Sequence, residues 1–175
     1  MNDISFLRPF REKDLGVLER LLTDPEVLGP FAWTGWNHVG GPGKVRSRWE
    51  LDRCLGADDG MLAVVRGDVA VGAASWRAVT YNGTSRCWNV GMCVLPEERG
   101  RGETVAAGSA LREYLFAHTQ VHRLETHVEV GNTPAAACCV KNGMKLEGVT
   151  RGACWRDGRW RDVEVYSILR DDLPR

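Results

Sequence analysis

The segment from Leu95 to Thr104, LPEERGRGET, has the residue types expected of an anion-binding loop. It follows an apolar run that is typical of a strand and precedes a helical pattern. Gly100 and Gly102 let the backbone approach a bound phosphate, and the first N–H groups of a helix favour negative charge. Arg99 and Arg101 add side-chain donors. Taken alone, the loop is equally consistent with an ordinary turn, because its spacing matches neither the G-x-x-x-x-G-K-[ST] phosphate loop nor the G-x-G-x-x-G dinucleotide fingerprint.

Four polar residues alternate along a strand predicted at 123–130. They are Arg123, Glu125, His127 and Glu129, and alternate residues of a strand project to one face. A polar face on an internal strand needs a reason, since unpaired charges are costly to bury. Two interpretations stay open: the lining of a catalytic cleft with His127 as base or proton relay, or a paired Arg–Glu network that stabilises the fold.

These two segments are positioned by a predicted alternation of strands and helices. The patterns predict strands at 4–10, 61–66, 69–79, 86–95, 123–130, 145–155 and 161–169. They predict helices at 12–22, 44–55, 103–118 and 133–141, with a short helical turn from residue 24. A long loop rich in Gly, Pro and Trp fills 29–43, and long loops of this kind are often functional.

The composition excludes several classes of protein. The 175 residues contain 23 Lys and Arg against 23 Asp and Glu, so the zero net charge argues against a bulk nucleic-acid binder. No stretch approaches the roughly 20 apolar residues of a membrane span, and early basic residues argue against a signal peptide. The six cysteines form no C-x-x-C pair, so neither a metal site nor a disulfide framework is predicted. We therefore expect a cytoplasmic protein without a metal.

The loop and a second region together resemble the GNAT acetyltransferases. Residues 99–104 are similar to the pyrophosphate-binding motif of that family, Q/R-x-x-G-x-G/A, up to its last position. The second region looks like the Rim-type branch, which acetylates ribosomal-protein N-termini and many small amines. It consists of RLE at 123–125, Asn132, KNGMKLEGV at 141–149 and DGRWRDV at 157–163. The resemblance covers about residues 60 to 170.

The resemblance implies an α/β (α+β) fold in one domain over residues 1–175. It implies a mixed, mostly antiparallel, twisted sheet of about seven strands with a V-shaped split, and about four helices. The implied activity moves an acetyl or similar group from acetyl-CoA to a primary amine of a small molecule or of a peptide N-terminus. Chains of the Rim-type branch are often homodimers, so a homodimer is possible here as well.

The resemblance also assigns residues to the donor site. The implied cofactor-binding residues are Cys93, Val94, Arg99, Gly100, Arg101, Gly102, Glu103, Thr104 and Asn132. Backbone at a bulge around Cys93 and Val94 would pair with the pantetheine arm, and the loop N–H groups would hold the pyrophosphate. Two residues depart from the pattern. Thr104 stands where Gly or Ala is usual, and Glu103 puts a carboxylate beside the expected phosphates.

The implied catalytic residues are Cys139, His127 and Asn132. Cys139 stands where many relatives have a tyrosine that acts as a general acid, so its thiol would protonate the leaving group. The alternative is that Cys139 is a small apolar core residue. Aromatic walls of the acceptor site are implied at Trp33, Trp36 and Trp155.

Two other functions stay open at this point. The same scaffold occurs in enzymes that take an acyl group from aminoacyl-tRNA, and Glu103 with Thr104 could mark such a remodelled donor site. Zero net charge argues against several phosphate contacts of that kind. The other alternative is a non-catalytic binding module that keeps the fold.

Overall fold

The computed structural model describes residues 7–35 and 42–173, and over these it has seven strands and five α-helices. The strands are β1 (Leu7–Arg8), β2 (Asp59–Arg66), β3 (Val69–Asn82), β4 (Ser85–Val94), β5 (Arg123–Glu129), β6 (Lys145–Arg156) and β7 (Arg159–Leu169). The helices are α1 (Leu15–Thr23), α2 (Pro25–Ala32), α3 (Pro42–Asp52), α4 (Glu103–His118) and α5 (Thr133–Lys141). The predicted order of strands and helices is confirmed.

All seven strands belong to one sheet, in the order β1-β2-β3-β4-β5-β7-β6. β4 and β5 run parallel, because α4 carries the chain back across the sheet between them. Every other neighbouring pair is antiparallel. The mixed, mostly antiparallel sheet is therefore confirmed.

The two parallel strands separate soon after they meet. Their register contains two pairs, Trp88 with Leu124 and Asn89 with Glu125. Beyond these pairs β4 continues to Val94 along β3, and β5 continues to Glu129 along β7. The sheet thus opens into the expected V, with a backbone edge of each strand facing the gap.

Helices cover both faces of the sheet. On one face, α4 and α5 pack over a core in which Leu111 and Leu115 are fully buried beside Trp88 of β4. On the other face, α1 to α3 bury Leu18 and Val27 against small residues of β2 and β3. The polar side chains of β5 and β4 that face this second layer are the ones described below.

The long loop begins later than the sequence predicts, because α2 continues to Ala32. Gly29 interrupts the helical geometry with a φ of 63°, which glycine tolerates, and Pro30 then starts another helical turn. α3 begins at Pro42. Residues 36–41, which include the predicted site residue Trp36, lie outside the described residues.

β4 keeps a regular register with β3 from Cys87 through Val94, so the bulge expected around Cys93 and Val94 is wrong. The physical reason is Gly72, which lies opposite Val94. A Cβ atom on Gly72 would lie 2.4 Å from the carbonyl oxygen of Cys93, so the glycine lets the two strands approach closely enough to pair without a bulge. β4 separates from β5 at Asn89 instead.

Candidate active site

The loop before α4 presents free N–H groups toward the carboxyl end of β4. Gly100 and Gly102 have φ values of 79° and 90°, which favour glycine. Over the described chain, the N–H groups of Gly100, Arg101, Gly102 and Thr104 donate to no backbone acceptor, whereas that of Val105 bonds the carbonyl of Gly102 at 3.0 Å. Free N–H groups at the positive end of a helix form a site for an anion.

Arg99 braces this loop. Its Nη2 donates to the carbonyl oxygen of Val27 at 2.5 Å, and its Nε donates to that of Val94 at 3.4 Å. The side chain therefore ties the loop to α2 and to the end of β4. Arg101 is exposed and contacts Glu98 at 3.3 Å, so its guanidinium stays at the surface of the loop.

Glu103, one of the two residues that depart from the family pattern, is paired with Arg66 at the end of β2. The guanidinium of Arg66 lies 2.5 Å from Oε1 of Glu103 and also contacts Glu98. The hydrogen bond from Arg66 lowers the pKa of Glu103 below its ordinary value. The carboxylate is thus already paired beside the loop, by a partner 37 residues away that no local pattern indicates.

A second helix N-terminus flanks the split from the β5 side. Asn132 precedes α5, and its Oδ1 accepts the N–H of Ala135 at 3.3 Å, which caps the helix. The side-chain amide nitrogen of Asn132 makes no hydrogen bond within the described residues. The strands that border the split therefore both lead into helix N-termini, which favour negative charge.

Glu125 is the buried centre of the polar face on β5, with only 3% of its side chain exposed. It accepts hydrogen bonds from the Tyr81 hydroxyl and from Arg123, the latter at 3.1 Å. Burial alone would raise the pKa of Glu125, but these donors outweigh it and the pKa is lowered. Burial and the contact with Glu125 raise the pKa of Tyr81 to about 12, so its hydroxyl stays a donor.

His127 lies on the same face, two residues closer to the open part of the split. Its Nε2 is 3.2 Å from Oε1 of Glu125, and 42% of its side chain is exposed. The buried carboxylate is in place to orient the imidazole. Both interpretations of the polar face are thus present: an Arg–Glu network, and a half-exposed histidine that the network holds.

The far end of the same face is a second network. Glu129 is paired with Arg156 of β6 through two hydrogen bonds, one of them 3.0 Å long, and both side chains are over nine-tenths buried. The guanidinium of Arg156 also lies 5.6 Å from the ring centre of Phe31 in α2. This arginine therefore joins the β6–β7 hairpin, the end of β5 and α2.

A cavity of about 630 Å³ lies on this face beside the split. Its floor is made of two rows of paired residues that cross the sheet. One row is Met61, Ser75 and Gly91, and the other is Asp59, Arg77 and Asn89. α1 contributes Leu18 and Leu22, and α3 contributes Lys44, Val45 and Arg48. Asn89 is the residue at which β4 leaves β5, so the cavity adjoins the split.

Comparison with known proteins identifies the family. Residues 6–145 match the family model described as an acetyltransferase (GNAT) domain. The chain belongs to the GNAT acetyltransferase family. An uncharacterized N-acetyltransferase of Bacillus subtilis (strain 168), YnaD, is 26% identical over 85 residues, which are 49% of this chain and 50% of that protein. The match thus spans about half the length of this relative.

Solved GNAT structures have the same fold over nearly the whole chain. A spermidine N-acetyltransferase from Vibrio cholerae, in complex with CoA and spermine, has a TM-score of 0.80 at 18% identity and covers 95% of each chain. A ribosomal-protein-alanine N-acetyltransferase from Brucella melitensis has a TM-score of 0.79 at 22% identity, covering 93% of this chain and 98% of that one. RimJ from Mycobacterium smegmatis, in complex with CoA-disulfide, has a TM-score of 0.77 at 24% identity, covering 97% and 83%. The GNAT fold is confirmed.

Cys139, the predicted proton donor, lies on α5 in the core beneath the helix. It is 5% exposed, and burial raises the pKa of its thiol to about 11. The thiol is therefore protonated near neutral pH. Tyr166 of β7 and Met144 belong to the same buried cluster.

The described aromatic residues that the GNAT resemblance implies for the acceptor site lie outside the cavity lining. Trp33 ends α2, and Trp155 of β6 is 55% exposed and packs edge to face on Trp160 at 5.4 Å. Neither contributes to the lining of the cavity, whereas Trp76 does. The contact between Arg156 and Phe31 nevertheless brings the two wall elements together.

Several site residues were not predicted from the sequence. They are Asp59, Arg66, Arg77, Tyr81 and Asn89. The strand alternation could have placed Arg77 and Asn89 on one face of their strands. Their position beside the split depends on which strands pair, and that is not a local property of the sequence.

Residues 7–35 and 42–173 contain no helix that is long and apolar enough to cross a membrane. The same ranges contain no group of three or more His, Cys, Asp or Glu side chains placed to hold a metal ion.

Proposed function

We propose that this GNAT protein transfers an acetyl group from acetyl-CoA to a primary amine of a small molecule or of a peptide N-terminus. The observation that carries the proposal is the opening between β4 and β5. On one face of the sheet this opening borders a cavity of about 630 Å³. At the carboxyl end of β4 it borders the free N–H groups that precede α4. A thioester held in the opening would meet an amine held in the cavity.

The donor side is formed by backbone. The N–H groups of Gly100, Arg101, Gly102 and Thr104 would bind the pyrophosphate, and the open edge of β4 near Cys93 and Val94 would pair with the pantetheine arm. Asn132 would contact the donor from the other side.

The pairing of Glu103 with Arg66 weakens one of the two reasons for considering an aminoacyl-tRNA donor, and Thr104 is the other. An acetyl-CoA donor also has support from a further structural neighbour. YncA from Salmonella typhimurium, which was solved with its cofactor acetyl-CoA, has a TM-score of 0.78 at 17% identity, covering 97% of this chain and 95% of that one.

The acceptor amine must lose a proton before it attacks the thioester carbonyl carbon. An N–C bond then forms, the C–S bond breaks, and the leaving thiolate takes up a proton. We assign the base to His127, held by Glu125. The assignment of the proton donor to Cys139 rests on the family resemblance, since its thiol is buried in the core and its pKa is raised to about 11. Positioned acid or base groups contribute about 10²- to 10⁴-fold to such reactions.

A transfer assay tests this assignment. The free CoA thiol that each turnover releases is followed while a panel of amines and peptide N-termini is offered with acetyl-CoA. His127→Gln is expected to lower kcat about 100-fold, because it removes the proposed base. His118→Gln is the matched control, since His118 is exposed on α4 away from the split. Equal kcat in the two variants would exclude His127 as the base, and failure of every amine would favour a non-catalytic module.

The compartment and the assembly belong to the same proposal. All six cysteines are unpaired, which is the state expected in a reducing cytoplasm. A homodimer is supported by β6, a 12-residue edge strand that, among the described strands, pairs only with β7 and leaves its other edge open. Light scattering that returns the mass of one chain would contradict the dimer.

A further inference from the structure

We infer that the acceptor amine also carries a carboxylate, and that Arg77 binds this carboxylate with Asn89 and Lys44 beside it. The inference deepens the proposed function and rests on it. It begins from the charges that line the cavity, where cations outnumber anions and two of the cations have no partner among the described residues.

Arg77 is the unpaired cation of the floor. It lies in the middle of the row Asp59, Arg77 and Asn89, and no hydrogen bond or ion pair holds it within the described part of the chain. Its neighbour Asp59 is held instead by Arg48 at 2.6 Å. A guanidinium has five N–H donors in a planar fork that matches a carboxylate. An anion in the cavity would satisfy donors that the protein leaves open.

Asn89 points to the same conclusion independently. Its Nδ2 atom is shielded from solvent and has no hydrogen-bond partner in the described chain. A buried polar atom left unsatisfied costs free energy, and a rotation of the Asn89 amide into the adjoining cavity would give this atom an acceptor there. Asn89 lies next to Arg77 on the adjoining strand and lines the same cavity. Two donor groups on neighbouring strands thus lack the same kind of partner.

Lys44 adds a third donor from α3, on the opposite side of the cavity. It is exposed and takes part in no ion pair or hydrogen bond that the described residues show. With Arg48 balanced by Asp59, the lining keeps the positive charges of Lys44 and Arg77. This lining repels a polyamine, whose additional ammonium groups need carboxylates, and attracts an acceptor with a negative group.

The register sets the distance between the two ends of the acceptor. Arg77 lies in the row of Asn89, where the split begins, and the row of Gly91 lies two residues further along β4, inside the split where we place the reacting amine. Two residues of a strand span about 7 Å. In an N-terminal glutamate or aspartate, free or in a peptide, the amine and the side-chain carboxylate lie closer together than this span. The long side chain of Arg77 can cover the remaining distance.

Paired acceptors test the inference. Peptide amides that begin with Glu or with Gln differ in one charge, and free glutamate against free glutamine separates an amino acid from a peptide. We expect kcat/KM to be at least tenfold higher for the Glu peptide than for the Gln peptide. Arg77→Gln should bring that ratio close to one, because kcat/KM should fall much further for the Glu peptide than for the Gln peptide, and Arg77→Lys should restore part of the ratio.

The control is Arg151→Gln, because Arg151 is an exposed strand arginine with no ion pair in the described residues. It should keep the native ratio. A native ratio near one, a preference for spermidine, or a preference for an O-phosphoserine peptide over the Glu peptide would overturn the inference. A misfolded variant is recognised because both peptides then lose activity together.

A binding arm separates this inference from the proposed function. Acetylated Glu and Gln peptides, which are the reaction products, are titrated calorimetrically into the CoA-loaded protein. Tighter binding of the Glu product, abolished in Arg77→Gln, supports the carboxylate site even if no amine is acetylated. Acetylation of amines without any preference for the Glu product overturns the inference and leaves the proposed function intact.

Discussion

The buried pair between Glu129 and Arg156 allows a prediction of stability with a definite size. Glu129 ends β5 at the split, and Arg156 ends β6. Their side chains are 7% and 6% exposed, and two hydrogen bonds join them. Glu129→Gln keeps the shape of the side chain but removes its charge, so a buried guanidinium loses its main partner.

The expected cost follows from the burial of the pair. Removing one partner of a buried ion pair costs about 3–5 kcal/mol, because the remaining charge stays out of water. Arg156 retains Asp157 at 2.6 Å, but that carboxylate is 61% exposed and compensates only partly. We therefore expect a loss of about 3 kcal/mol in the free energy of unfolding. For a chain of this size that loss lowers Tm by roughly 6–12 °C.

Urea denaturation and thermal unfolding measure this change. The matched control is Glu97→Gln, because the pair of Glu97 with Arg20 is of similar length, 3.0 Å, but half exposed. Exposed pairs contribute about 1 kcal/mol or less. The double variant Glu129→Leu with Arg156→Met should lie close to the native protein, since an apolar pair of similar volume leaves no buried charge. A loss below about 0.5 kcal/mol for Glu129→Gln would refute the reasoning that the pair is desolvated.

Three further predictions concern pH, the donor loop and helix packing. The hydrogen bond from Arg123 lowers the pKa of Glu147 to about 2. The stabilisation that this pair gives the folded state is therefore complete above the ordinary pKa of a glutamate and is lost as pH falls toward 2. Because 44% of the Glu147 side chain is exposed, we expect a contribution of only about 1 kcal/mol. Urea denaturation of Glu147→Gln and of the native protein at pH 6 and pH 2 measures this contribution. Arg66→Gln should weaken acetyl-CoA binding about tenfold in calorimetry, because the Glu103 carboxylate beside the loop then lacks its cationic partner and repels the phosphates. Unchanged affinity would mean that this carboxylate does not interact with the phosphates. Gly108→Ala should lower the unfolding free energy by about 1–3 kcal/mol in urea, since its Cβ would lie 2.6 Å from Nδ2 of Asn142, and an unchanged midpoint would contradict that contact.

Local patterns in the sequence predicted much of the fold. The anion loop was predictable because a strand, two glycines and a helix follow one another directly between 86 and 118. The polar face of β5 was predictable because side chains alternate in any strand. The family resemblance added the V-shaped split, which the structure places at Asn89.

The rest depended on contacts between distant residues. Glu103 looks like an obstacle to phosphate in the sequence, but Arg66, 37 residues earlier, pairs with it in the fold. Arg77 and Asn89 form one row because β3 and β4 pair in a particular register. The absence of a bulge at Cys93 follows from the close approach that Gly72 permits, which the sequence of β4 alone could not show.

The most direct test of the proposed donor site is calorimetric titration of the native protein and of Gly102→Val with acetyl-CoA. We predict micromolar binding to the native protein and at least tenfold weaker binding to the variant, because Gly102 holds its φ of 90° where we propose that free N–H groups bind the phosphates. Gly158→Val, in a hairpin turn with a φ of 74°, carries similar strain far from the loop and should bind like the native protein. Absence of binding to the native protein, or equal affinity for Gly102→Val, would contradict a donor site at the N-terminus of α4.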